Sequence, residues 1–152
     1  MNTNSKQDAL STRWTLEGRI PLSRVAEGAE WRRARVVDTD ESVVLFIVRG
    51  QAAAETADAV RRAYLVEDAR LLPVREIAAP DDELTVVEYP LPPAPPLAAL
   101  LSKGALHPET ARAIIGEAAA GLEVARRRGV RHQFLDSNRV FVDTASGEVV
   151  VL

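Results

Sequence analysis

Apolar and polar positions change their period several times along the chain, and each change marks an element. Residues 14–20, WTLEGRI, read as a first strand, and 30–37, EWRRARVV, alternate as a second. Residues 42–48, SVVLFIV, are an unbroken β-branched and aromatic run, the pattern of a central strand buried on both faces. The turn DTDE, 38–41, joins the last two as a hairpin, and the spacing predicts an antiparallel meander. Residues 51–72 then take a helical period. Alanine is the best helix former, and Ala59, Ala63 and Val66 share a face with Val60 and Leu65 at its margins. Pro73 follows, and 74–79 and 84–89 are a fourth and fifth strand around the turn PDDE.

The pattern changes again at 90–98, PLPPAPPLA. Five prolines in nine residues cannot donate ladder hydrogen bonds and keep the path extended and stiff. A strand before it and a helix after it make it a rigid connector rather than a ligand for a proline-recognising domain. Residues 97–104 form a short helix closed by Gly104, and 107–129 a long one. Pro108 suits the first turn and Glu109 the positive end of the helix dipole. Ile114, Ala118, Leu122 and Ala125 make the apolar stripe. Arg126, Arg127 and Arg128 complement the C-terminal end and Gly129 caps it, so the arginines read as a solvated helix end, not a nucleic-acid patch. RVFV, 139–142, and EVVVL, 148–152, close a hairpin across DTASG. The expected fold class is α+β, in two parts joined at 90–96.

Composition narrows the function classes. A length of 152 residues fits one compact domain, and 47% hydrophobic with 27% charged residues is enough to bury a core. A net charge of -3 offers no general attraction to a phosphate backbone, so no nucleic-acid partner is expected. The absence of cysteine excludes disulfides and thiolate metal sites, and two distant histidines, His107 and His132, do not make a zinc site. No metal and no cofactor is expected. The first 13 residues, MNTNSKQDALSTR, read as a loose polar tail without a signal sequence. No apolar run is long enough to span a bilayer. The expected location is the cytoplasm, without direct membrane insertion, although the chain could be the cytoplasmic part of a membrane protein. Ala, Arg, Val and Leu dominate while Lys is rare, a bias that fits a GC-rich genome. No internal repeat is present.

The order and local sequence of these elements resemble the protein kinase fold over about residues 14–152, most closely the degenerate kinase-like domains of actinobacteria. VVEYPLPPAPPLAALLSKG is similar to the last small-lobe strand, the hinge and the start of the large lobe. AIIGEAAAGLEVARRRGVRH is similar to the long large-lobe helix that enters the catalytic loop, RHQFLDSNRVFV to that loop, and EVVVL to the strand before the metal-binding motif. The resemblance implies a disordered tail over 1–13, a kinase-like N-lobe over 14–89 with a five-stranded antiparallel sheet and one long helix, and a proline-rich hinge over 90–96. It further implies a partial helical C-lobe with a β-hairpin over 97–152.

Phosphoryl transfer by a kinase needs a glycine-rich phosphate cover, a lysine paired with a helix glutamate, a base aspartate, and Asn and Asp metal ligands. On the resemblance, the cover corresponds to IPLSRVAEGAEW, which keeps only Gly28 and places Pro21 and Glu27 nearby, where a carboxylate repels phosphate. The lysine position is held by Phe46, whose expected role is packing. The helix acid falls at Asp58, or at Glu55 one turn away. In the loop, His132 keeps a histidine with a packing role, Gln133 replaces the arginine, Phe134 replaces the base and Arg139 replaces the metal-binding asparagine. Asp136 would be a base two residues from its place, and catalysis tolerates errors nearer half an ångström. Asn138 would be a similarly displaced metal ligand. The chain ends at Leu152, before the remaining kinase motifs.

The expectation is therefore a non-enzymatic pseudokinase-type regulatory or protein-interaction domain. The degenerate catalytic positions are Phe46, Phe134 and Arg139, with no catalytic, cofactor-binding or metal residues. The resemblance extends to the kinase-like domain of the peptidoglycan precursor flippase family. It implies a link to cell-wall synthesis and a forkhead-associated domain as a partner, with Thr12, Thr15 and Thr39 as exposed candidates. A partial C-lobe would leave the stripe over 114–125 uncovered and favour a homodimer. Two alternatives remain: a cryptic nucleotide or small-molecule binder in the inter-lobe cleft, with Phe46 and Phe134 stacking on a base, and a transferase using Asp136.

Overall fold

The computed structural model describes residues 10–22, 25–132 and 134–152. Its elements are strands β1 (Trp14–Ile20), β2 (Ala29–Val36) and β3 (Ser42–Arg49), helix α1 (Ala52–Tyr64), strands β4 (Glu76–Asp81) and β5 (Leu84–Pro90), helices α2 (Leu97–Leu101) and α3 (Pro108–Arg127), and strands β6 (Val140–Val142) and β7 (Val149–Val151). The chain divides into two compact units. Unit 1 holds residues up to Arg61 with Val74–Leu91, and unit 2 holds Arg62–Pro73 with Pro92–Leu152.

Unit 1 is built on a five-stranded antiparallel sheet of order β1-β2-β3-β5-β4. Strand side chains alternate between faces. Val43, Leu45 and Ile47 of β3 therefore share one face with Leu84 and Val86 of β5, and with Trp14 and Ala34 they form its core. Leu10 belongs to that core as well. Residues 1–9 of the expected tail lie outside the described residues. On the opposite face, the Thr85 hydroxyl donates to the Ala53 carbonyl at 2.7 Å, which ties the first turn of α1 to β5. The continuous apolar run of β3 is explained by this two-sided burial. β4 is an edge strand, which is why it tolerates Pro80. The strand runs two residues later than its expected range of 74–79.

Helix α1 ends at Tyr64, not at residue 72 as its sequence predicts. The remainder has stronger partners than a helix could offer. Asp68 accepts the Arg70 backbone N–H and both ends of its guanidinium at 2.8–2.9 Å. The Leu72 N–H then donates to the Val151 carbonyl, and Val151 returns a bond to Arg70, so 70–72 extends alongside β7. The buried face of α1 is Ala53, Ala57 and Val60, not the predicted Ala59, Ala63 and Val66, because Val66 lies beyond the helix and the sheet meets its N-terminal half.

In unit 2 the long helix α3 forms as expected, with Pro108 at its start and the His107 ring accepting the Glu109 N–H as an N-cap. Its stripe is not uncovered. Ile114 and Ala118 pack against Val140, Val142, Val149 and Val151 of the β6–β7 hairpin, with Leu71 and Leu122 at the margin. The ground for expecting a homodimer, an open stripe over 114–125, is thereby removed. Exposure falls instead on Ile115, 67% accessible one position away. Gly121 is needed for close approach: a Cβ there would sit 2.8 Å from the Arg70 Cβ, so the glycine lets the extended segment lie on α3. The proline segment docks as a strand edge. Val142 donates to the Pro95 carbonyl at 3.0 Å and Pro96 bridges to Phe141.

Candidate functional site

The polar run after α3 folds back on itself through Asp136. Its Oδ1 accepts the Asn138 N–H at 3.0 Å and its Oδ2 accepts Arg139 Nη1 at 2.6 Å. Arg139 is only 2% exposed, and its carbonyl accepts the Leu152 N–H at 2.8 Å. The Ser137 carbonyl accepts the Ala98 N–H at the start of α2. Sequence reasoning offered Asp136 as a shifted base and Arg139 as a lost metal ligand. It missed that the two are partners, although their spacing of three residues in a tight loop is a readable signal. Asn138, the displaced-ligand candidate, contributes its backbone N–H to the same turn.

His132 anchors the other end of this loop. Its Nδ1 accepts the Phe134 N–H at 3.2 Å and its Nε2 lies 2.6 Å from the Leu152 carbonyl. An acceptor at Nδ1 and a donor at Nε2 define the neutral ring with the proton on Nε2. Burial lowers its pKa most, the Leu152 carbonyl opposes that, Arg139 lowers it further and Asp136 raises it, for a net depression. A base whose folded pKa is depressed gives stability that is full above the unfolded value, about 6.5, and is lost as pH falls below it. Lowering pH from about 7.5 toward 5 should therefore depress the melting temperature of the wild type. His132→Gln should show a flatter profile over that window by differential scanning calorimetry. Phe134, which the resemblance sets at the base position, is 36% exposed. Gln133 lies outside the described residues.

In unit 1, Phe46 sits opposite Trp31 on β2 and Val87 on β5. Its ring stacks on Trp31 with centroids 4.6 Å apart, and Trp31 meets Tyr89 at 5.7 Å. Burial pushes the Tyr89 hydroxyl up to about 12. The two candidate helix acids are engaged elsewhere or face water: Asp58 accepts from Arg61 at 3.0 Å, and Glu55 is exposed in the first turn of α1.

The connection from β1 to β2 is described except for residues 23 and 24. The glycine that remains there has a structural task. Gly28 has φ +75°, and an added Cβ would collide with the Arg49 carbonyl. The Gly28 carbonyl itself accepts the Arg49 N–H at 2.9 Å. Beside it, Glu30 takes Arg19 on Oε2 at 2.7 Å and Arg49 on Oε1 at 2.8 Å. Burial alone would raise the Glu30 pKa, but these two hydrogen bonds more than offset it and hold it below the usual range. Gly28→Ala should destabilise the protein by about 2 kcal/mol through the left-handed backbone and the collision. Urea unfolding would register the loss as a lower midpoint with an unchanged slope.

A magnesium–nucleotide complex needs a cation on its phosphates and oxygen ligands on its metal. At the positions that the kinase resemblance assigns to these tasks stand a phenyl ring stacked on Trp31 in unit 1 and a buried, ion-paired Arg139 guanidinium in unit 2. On that assignment the residues present do not fit that group. Among the described residues, no group of three or more His, Cys, Asp or Glu could hold a metal ion, and no helix is long and apolar enough to cross a membrane.

No protein-family model matches the chain, and no curated protein does. Solved structures do match in fold. One is Rad53, residues 1–466, in complex with AMP-PNP, with a TM-score of 0.78 and 12% identity over 99% of this chain. The chain spans 42% of that one. Rad53 is a protein kinase, and at this identity the likeness speaks for the fold: the chain has a kinase-like fold.

Proposed function

We propose that this is a catalytically inactive kinase-like domain that acts as a regulatory or protein-interaction module. The observation that carries the reading is the Arg139–Asp136 pair. On the resemblance Arg139 holds the position of a kinase metal ligand, and here it is a buried, paired cation; the Asp136 carboxylate, nearest to the base position, is engaged by Arg139 on Oδ2 and by the Asn138 N–H on Oδ1. The stacked Phe46 in β3 supports the same reading. A phenyl ring carries no charge for phosphate, and moving it would break its contact with Trp31. The finer reading follows the actinobacterial resemblance: a cytoplasmic setting near cell-wall synthesis, and a forkhead-associated domain that reads a phosphorylated threonine. Thr12, Thr15 and Thr39 are exposed in unit 1 and are the candidates.

The test is incubation of the purified chain with radiolabelled ATP and magnesium, alone and with general protein substrates. No label should transfer to the chain or to substrate. Transfer that disappears in Asp136→Asn would overturn the proposal and restore a displaced base.

A further inference from the structure

Helix α3 has a second face, turned away from the β6–β7 hairpin. Glu109, Arg112, Gly116, Ala119, Glu123 and Arg126 follow one another at alternating steps of three and four residues, so they line one side of the helix. Glu123 is half-buried and the others are exposed. Ile115 flanks the row and is 67% accessible. Gly116 is out of place in such a row. Glycine is the poorest helix former after proline, and a glycine inside a helix needs a packing reason. Gly121 has one, the close approach of Arg70. A Cβ on Gly116 would meet nothing within 4 Å, so among the described residues nothing calls for a glycine there.

The charges of this row are complementary to themselves. Two copies of α3 laid antiparallel, with a two-fold axis level with the gap between Gly116 and Ala119, set Gly116 against the partner's Ala119. The same axis sets Arg112 against the partner's Glu123 and Glu109 against the partner's Arg126, and symmetry repeats each contact. Small side chains at the axis let two helices approach to about 8 Å. Ile115 then lies over the partner's Ala120 at the margin. Glu123 already holds Arg126 at 2.7 Å and Arg127 at 3.1 Å within its own helix. Exposed pairs of that kind contribute little, so sharing the carboxylate with another arginine costs little.

We propose that the outer face of α3 is the interface of an antiparallel homodimer. The occupant is a second copy of this chain, because one face supplies both halves of each ion pair, as a two-fold interface requires. The face is not the stripe of Ile114 and Ala118, which the hairpin covers. No residue at a kinase motif position takes part, so the dimer stands or falls apart from the inactive-kinase reading.

The test is sedimentation velocity of the full chain over a concentration series. A helix-pair interface is small, so association should be of micromolar strength, with the mass rising from one chain toward two. Gly116→Leu sets bulk on the axis and should abolish the dimer, while the open surroundings of residue 116 let the single chain accept it. Arg112→Glu and Glu123→Arg each oppose like charges across the axis and should each weaken association about tenfold at low salt. An equimolar mixture of these two variants should recover it, because each then carries the charge that the other lacks. A folding defect in either variant would not be repaired by mixing. A single chain throughout the series, up to about 1 mM, would overturn the proposal. So would a Gly116→Leu dimer as tight as the wild type, or a mixture no tighter than its components. Loss of the dimer on deletion of residues 1–9 would overturn it as well, because the chain's start would then make the contact.

Discussion

Asp136→Ala is expected to destabilise the chain by about 3 kcal/mol or more, one of the largest effects of any single change outside the main cores. The substitution leaves the Arg139 guanidinium, 2% exposed, without the carboxylate 2.6 Å away, and breaking one partner of a buried pair costs about 3–5 kcal/mol. It also removes the acceptor for the Asn138 N–H, so the loop loses its turn as well as its charge balance. Replacing both partners, Asp136→Leu with Arg139→Leu, should cost much less than the single change, since apolar substitutes remove the buried charge altogether. Urea unfolding of the three proteins checks this. A single-variant loss below about 1 kcal/mol, the range of exposed pairs, would mean that the loop is not held by this contact.

Trp14→Ala should be comparably severe, at about 3–5 kcal/mol. Trp14 is 1% exposed in the unit 1 core, and its indole N–H donates to Glu88 Oε1 at 2.6 Å. Glu88 is itself buried, with Arg75 3.7 Å from its other oxygen. The alanine variant loses the ring and leaves a buried carboxylate short of a donor. Trp14→Phe separates the two effects. It keeps most of the ring and forfeits only the hydrogen bond, for about 1–3 kcal/mol. Equal losses in the two variants would place the whole effect in the hydrogen bond and none in packing.

The sequence is most legible where one period persists. β1, β3 and α3 stand close to where their sequence patterns place them, because the partners that bury them, on one face or on both, run along most of each element. Legibility fails where the deciding partner is far along the chain. The helical pattern over 65–72 is locally sound, but residues 70–72 pair with Val151, some eighty positions away, and no local propensity reports that. The open stripe over 114–125 is the same error seen from the other side, since the three-residue strands that cover it are too short to look like a lid. Leu10 sits in a polar stretch and still reaches the core. Glu88 follows the alternation of β5 onto the apolar face, a placement that makes sense only once Trp14 and Arg75 are known to meet it.

The candidate site divides in a similar way. The tasks of Phe46, Phe134 and Arg139 are assigned only by the kinase resemblance, through the order of elements. What holds them was not visible. The Trp31 stack depends on strand register, and the His132 contact with the Leu152 carbonyl depends on the exit of β7. Gly28 carries the opposite lesson. It reads as a survivor of a phosphate-binding turn, yet its positive φ and the closeness of the Arg49 carbonyl account for it fully as a hairpin glycine.

The most direct test of the central claim is a calorimetric titration of the chain with ATP and magnesium, accompanied by a melting curve at saturating nucleotide. The account predicts no heat of binding and no change in melting temperature, because the kinase resemblance assigns Phe46 to the position of the phosphate-binding cation and Arg139 to that of a metal ligand, and neither side chain can do that task. A magnesium-dependent stabilisation approaching 2.7 kcal/mol, the gain expected of a ligand at about 100 times its Kd, would contradict it.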